Sequence, residues 1–450
     1  MSIQGITTKV ISTLGNKESL VPIMIKDGVD STSLTLKSFK EGGLVEGIDR
    51  GIDEYGTQAI WIGGIPAYKK IFDWTVYKLA KINPKVDPRV IANKEYAAWA
   101  KENAQGFISE KGETVKDALN KCLEDGGKKA KNLYTGKVIA ATALTLATFF
   151  LMTKGKQKNT KDTVIRDLNN NTINSNNDVL MYSKPDEMFD KFSLKDEKEK
   201  DKPSFKGIVN KVVEGVMFNP VHNMKIIDAG ITTERIACSR NKVEFAEHSI
   251  KEGAFLFFVY GFGNLIEKGI NKFSNKVLNK PIDLDIDVLM DGKLKEALSK
   301  GKIAEDLSKL PEKSKSLTDK LNFIVENPDN IIVQAAKKSK VVSTVKDAAG
   351  NSVVDTSKFI DTGAVEKIAE NLGNISKKFV DSGETVDKFL AKTKGLKVAS
   401  VAANVGISCL FLGYLIPKAI YKYREWKTGT TSFHVANDIK KENENKKTEA

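Results

Sequence analysis

The densest group of residues able to do chemistry lies between positions 219 and 252. It holds two of the three histidines, His222 and His248, with Asp228, Glu234, Arg235, Cys238, Arg240, Glu244, Glu247 and Glu252. On a helix, Arg240, Glu244, His248 and Glu252 share one face at steps of four. His222, Glu244 and His248 are therefore the candidate metal ligands, and Glu244 with His248 could also form a carboxylate–imidazole proton pair. A complete metal site needs further ligands that spacing alone does not supply. The simpler expectation is a ladder of ion pairs on the wet face of a helix, opposite an apolar seam at Ile236, Val243, Ile250 and Phe257.

No other stretch carries a recognised catalytic signature. Phosphate-binding loops, paired-histidine zinc helices and nucleophile elbows are all missing from the sequence. Gly261 and Gly263 begin a dinucleotide pattern, but Ile266 replaces its last glycine. Asp283, Asp285 and Asp287 begin a calcium loop, but Val288 stands where the loop needs glycine. No catalytic residue and no cofactor is assigned. Cys122, Cys238 and Cys409 are too far apart for a thiol metal motif and odd in number, which points to a reducing compartment.

The 450 residues carry a net charge of +13, yet only six of the 71 basic residues are Arg. Arg makes the bidentate contacts that read phosphates and bases, so a nucleic-acid partner is disfavoured. Lysines alternate with Asp and Glu, as on a solvated surface. The N-terminus lacks the apolar core of a cleaved leader.

The elements that must position these residues are mainly α-helical. The expected fold is a membrane-associated helical bundle, with a disordered polar linker, a charged helical lobe and a small β-hairpin. Residues 1–42 read as a loosely ordered lead-in. Residues 43–153 form a Gly-rich helical region, with Pro66 expected to kink or end a helix. It closes on an apolar helix at Val138–Thr153. Residues 154–203 are rich in Lys, Asn and Asp and read as disordered linker. Within 204–270, Phe205–Phe218 is amphipathic and 230–266 reads as one long helix. Residues 271–396 form the charged lobe, with the hairpin near 341–355.

The uncharged stretch Val398–Pro417, inside a segment over 397–426, reaches membrane-spanning length. The tail over 427–450 is charged. Small residues line one face of each apolar helix: Gly136, Ala140, Ala143 and Ala147, then Ala399, Ala402, Gly406 and Gly413. Such stripes suit close helix packing. The octets GETVKDAL (112–119) and GETVDKFL (383–390) echo each other, but their unequal distances to the next apolar block argue against a duplication.

The expected partners are a lipid bilayer and other membrane helices or further copies of the chain. The expected role is structural, with soluble lobes near 154–230 and 270–396. A transport or pore role, or a membrane enzyme using the 219–252 cluster, stands as the alternative. Purified protein is expected to carry no stoichiometric metal. A metal bound one-to-one and lost in His248→Ala, measured by elemental analysis, would establish the metal reading instead.

Overall fold

The computed structural model describes residues 10–15, 19–109, 112–169, 220–239, 242–429 and 431. The chain is mainly helical, with one two-stranded antiparallel sheet. It divides into two units that each draw on separate stretches of sequence. The first, here called the lobe, comprises 1–19, 70–137 and 265–404. The second, the bundle, comprises 20–69, 138–264 and 405–450.

The lobe follows the ordinary rule of apolar inside and charged outside. Val90, Tyr96, Trp99, Leu119, Leu294, Ile303, Leu321, Ile332 and Leu372 are all buried in it. Its short helices are started by side chains that satisfy the first free N–H groups. Asp87, Asn93, Thr114, Asp291, Asn330 and Asp361 each accept a backbone N–H, and Ser316 with Asp319 forms a capping box.

Residues 83–123 are tied to 282–375 by buried polar bonds. The Tyr96 hydroxyl accepts from Ile360 N at 2.7 Å, Trp99 Nε1 donates to Asn322 Oδ1 at 2.8 Å, and Thr356 Oγ1 donates to Ala100 O at 3.0 Å. The lobe thus includes a segment that the linear reading grouped with the Gly-rich region. The expected hairpin is present: Thr344–Lys346 pairs with Ser352–Val354 across a turn in which Gly350 has φ +81°.

In the bundle, Val21–Ala59 is helical, in place of the loosely ordered lead-in expected as far as residue 42. This helix reverses at Gly43 (φ +78°, ψ −167°), a conformation that only glycine adopts without strain. Arm α1 (21–42) and arm α2 (44–59) then run antiparallel. Gln58 Nε2 donates to Ser31 Oγ at 2.9 Å, and the Tyr55 hydroxyl donates to Thr32 Oγ1 at 3.0 Å. The helical path continues beyond α2 and does not end at Pro66. A widened turn at Ile60–Gly64 absorbs the hydrogen bond that proline cannot make.

Helix α3, Lys128–Asn169, extends sixteen residues past Thr153 into the expected linker. Residues 170–203, the amphipathic stretch Phe205–Phe218 and the tail beyond residue 431 lie outside the described residues. The single helix expected over 230–266 is instead two: α4, Pro220–Ala237, and α5, Lys242–Leu256, which continues through a wide turn at Phe257–Phe262. They form a second antiparallel hairpin, with His248 Nδ1 bonded to Arg235 O at 2.9 Å and the Tyr260 hydroxyl donating to Asp228. Helices α6, Val386–Leu410, and α7, Ile416–Thr428, complete the set, joined by a wide turn at Phe411–Leu415.

The echoed octets belong to a longer correspondence. In the lobe, each octet begins at a glycine with positive φ, Gly112 and Gly383. Each places a threonine where it accepts the first free N–H of the next helix. Each glutamate takes the lysine eight residues on: Glu113 with Lys121 at 3.0 Å, Glu384 with Lys392 at 2.5 Å. Each then uses its other oxygen on an earlier segment, Asn83 or Lys280. Lys137 pairs with Asp73, and Lys397 with Glu267.

In the bundle, the buried positions of α2 and its continuation recur in α5 and its continuation. Arg50, Asp53, Glu54, Thr57, Trp61 and Ile65 match Glu244, Glu247, His248, Lys251, Phe255 and Val259 at a constant offset of 194 residues. Two hairpins, each followed by a lobe segment and a long helix, therefore make up the chain. The echo is part of a repeated architecture, and the unequal spacing reflects a turn at 124–127 in the first copy where Val386–Leu410 of the second runs unbroken.

Cys122 is buried in the lobe, and burial pushes its thiol up to about 12 from its ordinary 9.0. A thiol that stays neutral when folded contributes stability that is fully present below pH 9. That contribution is lost as pH rises from 9 towards 12, by up to about 1.4 kcal/mol per pH unit. Denaturant titrations at pH 8, 9 and 10 are expected to show a shallower pH dependence in Cys122→Ala than in the parent chain.

Candidate functional site

The helices of the bundle are turned inside out. On α5, the charged line Glu244, Glu247, His248, Lys251 and Glu252 is buried, whereas Ile250 and Phe257 are 40% and 47% exposed. The face expected to be wet is the inner one, and the apolar seam faces outward. On α2, Asp49, Arg50, Asp53 and Glu54 are buried while Ile48, Ile52 and Tyr55 are exposed. On α1, Asp27, Asp30, Ser31 and Ser38 are buried while Ile25, Leu36 and Phe39 are exposed. Helix α3 buries Thr145, Thr153 and Lys156 and exposes Leu144 and Leu151.

An apolar cluster occupies part of the interior: Ile23, Trp61, Ile65, Phe149, Met224, Ile227, Ile231, Phe255, Phe258, Val259 and Leu412. The rest of the interior is a network of ion pairs. An isolated buried charge is costly, so each must be matched in place. Arg235 is the hub of one knot. Its Nη1 donates to Glu252 at 2.6 Å, its Nη2 donates to Thr57 Oγ1 at 2.6 Å and to Asp53 O at 3.2 Å, and its Nε lies 3.7 Å from Asp53 Oδ1. Lys251 bridges Glu54 at 2.5 Å and Glu252 at 3.2 Å. Lys156 of α3 reaches Asp53 at 3.4 Å, and Arg50 reaches both Asp53 and Glu54 at 3.6 Å.

Arg424 of α7 is the hub of a second knot. It grips Glu247 with two bonds of 2.7 Å, the fork geometry that guanidinium and carboxylate share, and reaches Glu46 at 2.6 Å. Tyr421 also bonds Glu46, at 3.2 Å, and Ser38, at 2.7 Å. Six separate helices thus contribute to the two knots.

The proposed metal ligands fall in different settings. Glu244 and His248 are buried one turn apart on α5, while His222 near the start of α4 is exposed. The bond from His248 Nδ1 to a carbonyl oxygen fixes the proton on Nδ1, because a carbonyl only accepts. Among the described residues, no three His, Cys, Asp or Glu side chains gather closely enough to hold a metal ion.

The small-residue stripes are mostly turned away from the described helices. Ala143, Ala147, Ala399, Ala402 and Gly406 are exposed, and Ala140 is half-buried. Among the stripe glycines, Gly413 sits at a close approach, Gly136 at an ordinary contact and Gly406 in open space. A Cβ at Gly413 would lie 2.6 Å from Val29 Cγ1, and one at Gly136 would lie 3.8 Å from Phe72 Cζ.

Sequence reasoning missed Arg424, Glu46, Asp53 and Lys251 as members of the network. Their signal was available as acidic and basic residues recurring at steps of three and four along 46–54 and 244–252. The steps along 244–252 read as a surface ladder, and those along 46–54 lie within the segment read only as Gly-rich. No protein family, no curated protein and no solved structure matches this chain.

Removing Arg235 leaves Glu252 with Lys251 alone, and Asp53 with only the contacts to Lys156 and Arg50, in the interior. Arg235→Gln is expected to destabilise the bundle by about 3–5 kcal/mol. Lys313→Gln, on the exposed lobe pair with Glu370, is expected to leave stability unchanged. Thermal unfolding of both variants in detergent checks the contrast.

Proposed function

We propose that this chain is a membrane scaffold or interaction protein whose bundle sits in lipid and whose lobe is its water-soluble part. The reversed polarity of the bundle carries this reading. Lipid tails accept apolar side chains on the outside of a helix at no cost, and they force charged groups inward and into pairs. Two helices, Lys128–Asn159 and Val386–Lys427, are long and apolar enough to cross a membrane. Only 17% and 22% of their apolar windows are buried, whereas the core helix of a water-soluble protein would be mostly covered.

The interior favours scaffolding over transport of a solute. Most of its charges are engaged with one another, and the cavity that they line has about 20 Å³, room for roughly one water. A nucleic-acid role gains no support, because Arg50, Arg235 and Arg424, half of the arginines, are buried in the ion-pair network.

One observation favours a second reading, a water-soluble assembly of several copies. Helix α3 runs parallel to α4: Leu146 lies against Gly230, and Gln157 Nε2 donates to Cys238 O at 2.8 Å. Gln157 of α3 thus lies level with Cys238, past the end of α4, about 27 Å of helix from Pro220 where α4 begins. Residues 170–219 contain no uncharged stretch long enough to cross lipid. In that reading, the exposed stripes at Ala143–Ala147 and Ala399–Gly406 are where other copies approach.

Alkaline carbonate extraction of membranes from expressing cells separates the two. The protein is expected in the pellet. Release into the supernatant, followed by purification without detergent as a defined oligomer, would overturn the lipid reading and establish the second.

A further inference from the structure

The cavity inside the bundle is unequally charged. Asp27 and Asp30 of α1, Glu54 of α2, Asp228 of α4 and Glu252 of α5 line it, against only Arg235 and Lys251. Both cations are already committed: Arg235 to Glu252 and Asp53, Lys251 to Glu54 and Glu252. Asp228 accepts the Tyr260 hydroxyl. Asp30 is 1% exposed, and its Oδ1 is buried with no hydrogen-bond partner. Lys251, already shared by Glu54 and Glu252, is the cation that acts on it, and a carboxylate in such a place must gain more positive charge or lose its own.

We infer that this cavity takes up a small monovalent inorganic cation, with Asp30 as its anionic anchor. The size fits, because a space of about 20 Å³ admits one water-sized body and no organic ammonium ion. The charge fits, because one added positive charge reduces the local excess of carboxylates. A multidentate metal does not fit, because no three carboxylates among the described residues converge on one point. The charged groups facing Asp30 come from every helix around the cavity: Asp27 on its own helix, Glu54, Asp228 and Arg235, and the Lys251–Glu252 pair. This inference concerns the interior alone and stands whether lipid or further protein copies surround the bundle.

The test is thermal unfolding of the purified full chain at pH 8 in NaCl, KCl or choline chloride at equal ionic strength. Sodium or potassium is expected to raise the bundle's unfolding midpoint above that in choline by about 2–4 °C. Asp30→Asn is expected to unfold at the same temperature in all three salts. Asp228→Asn, which removes another carboxylate from the cavity lining, is expected to shrink the salt difference and serves if Asp30→Asn does not fold; an undiminished difference there would overturn the assignment to this cavity. Equal midpoints of the parent chain in all three salts would overturn the inference and leave Asp30 as a carboxyl that keeps its proton.

Discussion

The bundle depends on charge neutralisation in its interior. Arg235 holds the centre, reaching α2 through Asp53 and Thr57 and α5 through Glu252. Lys156 adds α3 to the same carboxylates, and Arg424 joins α7 to α5 and to Glu46. Apolar packing is non-directional and tolerates small shifts of one helix along another. A forked guanidinium bond does not, because its donors must meet particular oxygens. The two knots therefore set which helix neighbours which, and the apolar cluster around Trp61, Phe149 and Phe255 fills the space left between them.

The lobe is stabilised in the opposite way. Its apolar residues are interior, its ion pairs are largely exposed, and its helices are short and individually capped. One chain thus carries two polarity rules, and the change of rule falls inside segments that look continuous in sequence. Repetition gives the arrangement its economy. The same glycine–glutamate–threonine start, the same lysine eight residues on and the same spacing of buried positions occur twice. Identical side chains are not preserved across the repeats. Arg50 and Glu244 hold matched places with opposite charge, so the two halves can supply each other's counter-ions.

Much of the architecture was legible from sequence. The helical content, the hairpin near 344–354 and the two long apolar helices follow from local patterns: turn residues, alternation, and runs without charge. Three features were not. The helix over 21–42 is rich in Asp, Ser, Thr and β-branched residues, which favour a helix weakly, and is held by its partner arm through Ser31 and Thr32. The break between α4 and α5 carries neither proline nor glycine, and Ser239 and Asn241 are a weak signal inside an otherwise continuous helical pattern. The network partners Arg424 and Glu46 lie 378 residues apart, a separation that no local pattern spans.

The amino-acid order by itself determined that the helices have one charged and one apolar face, and which residues lie on each. Tertiary structure alone decided which face turns inward. The helical period is the same for a stripe that points to the core and one that points away, so Glu244, His248 and Glu252 read equally well as a wet ladder or a buried one. The choice rests on whether each charge finds a partner on another helix. Here Arg235 and Lys251 meet the carboxylates, and Asp30 is left facing a cavity.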